Sequence, residues 1–257
     1  MFMIKTENNY DFFISHSRET KQMIAIPLTE YLTKLGFNVW LDRKGIPIGE
    51  HIYNNIEKGI SQSTYCIALI DRFFLKRQWP LTEIDLFHKK STGKILPVFI
   101  EVEKEDAFKV IPWLDGIAYE KLDFTHPNNN VNFFCRLLDR FYKDNIRNPE
   151  NSYKNLLKYD FPCKDSLVTL MSVKESYSQD LLFAILDLCN IAGVIYAIHN
   201  SLSSYSDKVI SITFKFSNIL RDYCFNSPIT LTYDIYVAIH DAVFASLEHL
   251  YNVLASH

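Results

Sequence analysis

Glycine is scarce in this chain, 7 among 257 residues, well below the usual share of about 7%. A fold built on many glycine turns, or a glycine-rich phosphate cradle, is therefore disfavoured, and neither G-x-G-x-x-G nor a P-loop occurs. The five cysteines, Cys66, Cys135, Cys163, Cys189 and Cys224, are odd in number and never form C-x-x-C. That argues against a disulfide framework or a zinc site and suits a reducing cytosol. A basic run is also missing: 27 Lys and Arg stand against 30 Asp and Glu, for a net charge of −3, so a nucleic-acid partner is not expected. The first ten residues hold Lys5, Glu7, Asn8 and Asn9 where a signal peptide needs an apolar core, and the expected location is cytoplasmic. The most apolar stretch, Leu181 to Ile198, is interrupted by Asp187 and Asn190; a buried helix is expected there and no membrane partner.

What is present is globular composition, 48% hydrophobic and 22% charged. Tyr10-Asp11 leads into the apolar run Phe12-Phe13-Ile14 and then the polar cluster Ser15-His16-Ser17-Arg18, which reads as a buried strand ending at a helix start. Glu19 to Leu35 has helical spacing with Gly36 placed as its C-cap. Phe37 to Leu41 reads as a strand, Asp42 to Gly49 as a polar loop, and Ile52, Ile56 and Ile60 as one face of a short helix. Further strands are expected at Thr64 to Ile70, at Ile95 to Ile100 and within Ile117 to Leu122. Helices are expected within Phe74 to Lys89 and from Phe133 to Ile146. Pro97 is awkward in a central strand because it cannot donate to a ladder. Alternating strands and helices predict a doubly wound α/β layer with a parallel sheet, whose sites lie at the carboxyl ends of the strands.

Beyond the polar breaker Arg147 to Ser152 the pattern becomes helical. Leu181 to Leu202 and Tyr233 to Leu254 carry long apolar stripes. Ile210, Ile212, Phe214 and Phe216 alternate as a strand would, whereas Val209, Ile212, Phe216, Ile219 and Tyr223 fit a helix. A helix is expected, since a lone strand among helices would lack a partner. The division expected is 1–147 for the α/β domain and 148–257 for a smaller all-α domain.

Four segments resemble the Toll/interleukin-1 receptor (TIR) domain family, in order and at proper spacing. Tyr10 to Ser17 resembles its box 1, and Asp42 to Gly49 its BB loop with D-x-x-x-I-P-x-G intact. Trp79-Pro80-Leu81-Thr82-Glu83 resembles the W-x-x-x-E that opens the helix after the third strand, and Leu96-Pro97-Val98-Phe99 the fourth strand. The resemblance covers about residues 8 to 146. It implies a flavodoxin-like fold and one of two functions: cleavage of NAD at the nicotinamide-ribose bond, to ADP-ribose or a cyclic isomer, or association with other TIR domains as a non-catalytic scaffold or effector. The acid that separates the two is present as Glu83, the catalytic residue that the resemblance implies. It also implies bacterial antiphage defence and assembly through the TIR-like domain; the long apolar stripes of the helical domain leave surface for it to join a homo-oligomer.

The chemistry is consistent with a single acid. Nicotinamide bound to ribose is a cation and leaves as a neutral molecule, so no group need protonate it. One carboxylate can hold the ribose hydroxyls and stabilise the positive charge developing at the anomeric carbon. No metal is needed, and no cofactor either, since NAD is the substrate. Other readings stand beside these. Glu83 would also suit the first turn of a helix, where the dipole favours an acid. Phe13, Ser15 and Arg18 fall where a nucleotide cleft would lie, yet Phe13 fits the core as well. Asp42 suits a structural role tying its loop, or contact with the substrate. Arg43 and Lys44 suit a pyrophosphate, a neighbouring subunit or a solvated loop face. Trp79 suits substrate contact or packing that positions its helix. Asp85 and His88 follow Glu83 at offsets that rotate them away from it. The helical domain is expected to promote oligomerisation or sense a trigger.

Overall fold

A computed structural model describes residues 10–41, 52–90, 93–122, 128–147, 154–155, 158, 162, 164–172, 179–203, 207–226 and 232–256. The chain divides into two compact units, Met1–Phe124 and Thr125–His257.

In the first unit, strands β1 (Tyr10–His16), β2 (Val39–Trp40), β3 (Ser63–Ile70), β4 (Lys94–Ile100) and β5 (Glu120–Leu122) form one sheet. The order is β2-β1-β3-β4-β5, and every pairing is parallel. This is the flavodoxin-like arrangement, whose direction of winding reverses between β1 and β3. Being central, β1 and β3 are covered on both faces, which is why Phe12, Phe13 and Ile14, and the run Tyr65 to Ile70, are continuously buried rather than alternating. Pro97 is tolerated inside β4 because β5 is short: it pairs only with Val98 to Ile100, leaving the first half of β4 an edge on that side.

Helical spacing within Glu19 to Leu35 yields three consecutive pieces, α1 (Arg18–Thr20), a π turn (Lys21–Ala25) and α2 (Ile26–Leu35). The wider turn precedes Pro27, which has no N–H to donate backward and whose ring would crowd the carbonyl four residues earlier. Gly36 ends α2 at φ 106°, its N–H reaching Leu32 and Thr33, as a left-handed C-cap requires. Helices α3 (Ile52–Ser61), α4 (Gln78–Lys89) and α5 (Lys104–Val110) follow. Ile56, Ile60, Ile84, Phe87 and Ala107 from these helices share one core with Phe13, Cys66, Ala68, Ile70 and Phe99 of the sheet. Close approach of α3 depends on Gly59, where a Cβ would stand 2.5 Å from the Trp40 indole.

The second unit contains α6 (Asn128–Asn145), α7 (Lys164–Ser172), α8 (Gln179–Leu202), α9 (Lys208–Asn226) and α10 (Tyr233–Ala255). The expected helix at 209–223 is therefore a helix. The units part at Phe124/Thr125 rather than at the expected 147/148, because α6 packs on α10. It also buries Tyr142 completely, with the Thr213 hydroxyl 3.4 Å from the phenol and Ser246 donating to Thr213 at 2.9 Å. Helix α8 includes a window, Ile185–Leu202, long and apolar enough to cross a membrane, and a third of that window is buried within the protein. Ile185, Leu188, Ile191, Ala192, Ile195 and His199 form the buried share.

Two carboxylates meet between α6 and α10. Lys143 Nζ donates to Asp139 Oδ2 at 2.7 Å, and His240 Nδ1 stands 3.3 Å from Asp241 Oδ1. Burial first, then the hydrogen bond with Asp241, raise the Asp139 pKa to about 6 against the opposing pull of Lys143. Asp241 is lowered: burial acts to raise it, but hydrogen bonds with His240 and Asp139 outweigh that. A raised folded-state pKa contributes stability that is complete below the unfolded carboxylate range and lost as pH rises through about 6; the Asp241 contribution is lost in the other direction, as pH falls. Asp139→Asn removes the charge that becomes costly above that range. The variant is expected to melt about 2–4 °C above the parent near neutral pH, with the gap closing below about pH 5. Equal melting temperatures at both pH values would show that the Asp139 charge carries no such cost.

Candidate active site

The reversal point between β1 and β3 places their carboxyl ends side by side, with Ser15 opposite Ala68 and His16 opposite Leu69. Leaving β1, the chain passes through Ser17, which caps α1 by accepting the Thr20 N–H at 3.3 Å. Leaving β3, it passes through Asp71 into a single turn, Phe74–Lys76, and then α4. The two departures are tied together. Ser17 Oγ donates to Asp71 Oδ2 at 3.0 Å, and the Phe74 N–H donates to Asp71 Oδ1 at 2.6 Å. All of these groups are buried.

Glu83 lies in this crevice. Helix α4 buries Pro80, Glu83, Ile84 and Phe87, and its apolar members seat it on the sheet while the carboxylate meets the end of β1. The Ser15 hydroxyl donates to Glu83 Oε2 at 2.6 Å, with Ser15 wholly enclosed and Glu83 8% exposed. Because α4 begins at Gln78 and has no acid in its first turn, Glu83 stands in the second turn, where the dipole no longer favours an acid. A first-turn role does not account for it. A carboxylate buried this deeply carries a desolvation cost that a surface acid does not. Beneath it, burial first and the Glu83 charge second push the Cys66 thiol well above its ordinary pKa, so Cys66 stays protonated and is no nucleophile.

Of the other residues expected at the cleft, Trp79 lies one turn before Glu83 on the same face and is 38% exposed. Arg18 is exposed in the first turn after β1. Phe13 is a core residue: it is fully enclosed and stacked on Trp40, with centroids 4.6 Å apart and planes 8° off parallel. Asp42, Arg43 and Lys44 lie outside the described residues. Asp85 and His88 are exposed, turned from Glu83 and engaged by Trp113, whose indole donates to Asp85 at 2.9 Å and stacks on His88 at 4.1 Å. Arg77 pairs with Glu19 at 2.5 Å, exposed enough to contribute little stability. Sequence reasoning missed Asp71, and its signal was available: an acid placed directly after the apolar strand, at the edge where such sheets build their sites. Among the described residues no group of three or more His, Cys, Asp or Glu could hold a metal ion.

Residues 12–130 match the family described as TIR domain. That stretch of the chain is a TIR domain. Relatives of it include the 2′ cyclic ADP-D-ribose synthase AbTIR of Acinetobacter baumannii, 35% identical over 118 residues, covering 44% of this chain and 44% of the relative. The 2′ cyclic ADP-D-ribose synthase BtTIR of Bacteroides thetaiotaomicron is 34% identical over 108 residues, covering 41% of this chain and 38% of the relative. The NAD(+) hydrolase TcpC of Escherichia coli is 29% identical over 118 residues, covering 44% and 38%. The match spans less than half the length of these curated relatives and falls on the TIR domain.

Proposed function

We propose that the TIR domain cleaves NAD at the bond between nicotinamide and ribose, with Glu83 as the catalytic residue. The observation that carries this is the buried Glu83 carboxylate at the β1/β3 reversal, fixed by Ser15, in a domain whose relatives are named for NAD hydrolysis and 2′ cyclic ADP-D-ribose synthesis. As the C1′–N bond breaks, its electron pair goes to the nicotinamide nitrogen and positive charge develops on the ribose. A carboxylate held at that carbon stabilises the charge where it forms. Water attacking the ribose gives ADP-ribose; a hydroxyl or adenine nitrogen of the same molecule gives a cyclic isomer. NAD enters as substrate, and the reaction as drawn uses no cofactor.

The proposal extends to a homo-oligomer assembled through the TIR domain and the helical unit, to a cytoplasmic location, and to antiphage defence by depleting NAD or making a cyclic signal. These rest on the resemblance. The test is release of nicotinamide from NAD by the purified chain over a wide range of protein concentrations, with products identified by mass spectrometry. Release whose rate per chain rises with concentration is expected. Its absence at every concentration would overturn the enzymatic reading in favour of association alone.

A further inference from the structure

We propose that Ser15 is a positioning residue, its hydroxyl holding the Glu83 carboxylate in the orientation that reaction at the ribose requires, and that it does not contact the substrate itself. This rests on the NAD-cleaving reading of the same site.

Three observations carry it. Ser15 is wholly enclosed and has a single hydroxyl proton to give, which it gives to Glu83 Oε2 at 2.6 Å; enclosed as it is, it lacks the exposure to meet a ribose hydroxyl. Its backbone is held in register by β3, where Ser15 lies opposite Ala68, on a strand whose earlier residues Phe12 and Phe13 also pair with β2. Two residues on, Ser17 is anchored to Asp71 at 3.0 Å, which ties the end of β1 to the chain leaving β3. Glu83, by contrast, has three side-chain torsions and sits on a helix, and a donor on the strand narrows the rotamers its carboxylate adopts. A strand-borne donor removes that freedom before the substrate arrives, so less orientation is left to be achieved at the moment of reaction.

The experiment compares Ser15→Ala, Ser15→Thr and Ser15→Cys in the full chain. Ser15→Ala is expected to lower kcat about 10- to 100-fold with KM changed less than about twofold, and to move the acid limb of the pH–rate profile to higher pH, because a donor to the ionised carboxylate is gone. Ser15→Thr, which keeps the hydroxyl, should recover most of the rate. Ser15→Cys, similar in size but a weak donor, should behave like Ser15→Ala, and it replaces Ser15→Ala if that variant does not fold. An activity-independent readout is the carbon-13 titration of the Glu83 carboxyl, assigned by its loss in Glu83→Gln, whose midpoint should rise in Ser15→Ala. Raised KM at unchanged kcat would make Ser15 a substrate contact and overturn the proposal, as would an unmoved titration. A parent that releases no nicotinamide but shows the titration shift would instead refute the NAD reading alone.

Discussion

Glu83→Gln is expected to reduce nicotinamide release from NAD about 1,000-fold while the protein keeps its melting temperature. Both halves follow from the site. Glutamine is nearly the same size and its amide oxygen can still accept the Ser15 hydroxyl that now reaches Oε2 at 2.6 Å, so packing on α4 and the end of β1 is preserved. What disappears is the negative charge. Removing it also removes the desolvation cost of a buried carboxylate, so the variant should be no less stable than the parent. Loss of a preorganised electrostatic contact in a water-poor site costs about 3–4 kcal/mol in the transition state, far above what a surface acid contributes. Turnover within a few-fold of the parent, with the fold intact, would remove Glu83 from the mechanism.

Asp71→Ala is expected to destabilise the TIR domain by about 3 kcal/mol, read by chemical or thermal unfolding. Asp71 is buried and accepts from both the Ser17 hydroxyl and the Phe74 N–H. Hydrogen bonds to a charged group are the stronger kind, and truncation leaves the Phe74 N–H and the Ser17 hydroxyl without this acceptor inside the protein. The variant should also lose activity beyond what stability explains, since the turn that leads into α4 and the cap of α1 are both released. Asp71→Asn keeps one acceptor oxygen and should fall between. A change below about 0.5 kcal/mol for Asp71→Ala, the range of an ordinary surface substitution, would show that the two crossovers are held by other contacts.

Much of this domain can be read from local chemistry. The order of strands and helices and the left-handed Gly36 follow from apolar spacing and backbone preference, which act over a few residues; around Lys208–Asn226 the spacing fits a strand as well, and the helical neighbours decide for a helix. The motif that carries Trp79 and Glu83 is also local, since one helical turn sets both on one face. Glu83 could therefore be named from sequence, whereas its depth could not: the same letters allow a solvated acid in a first turn.

Only tertiary structure decided which residues of the crevice serve which end. It put Phe13 in the core, because the Trp40 ring arrives from the neighbouring strand to stack on it. It brought Ser15 to Glu83 across 68 residues of chain and Ser17 to Asp71 across 54, pairings set by sheet register and by the reversal of winding between β1 and β3, which no local period encodes. It also gave α6 to the helical unit, since an amphipathic helix is indifferent in sequence to whether a sheet or another helix covers its apolar stripe. The sequence by itself determined the elements and placed an acid, Glu83, in the helix after the third strand. The long-range hydrogen bonds that turn one glutamate into an oriented, buried carboxylate were decided by the packing, because burial and hydrogen-bond geometry are properties of neighbours in space.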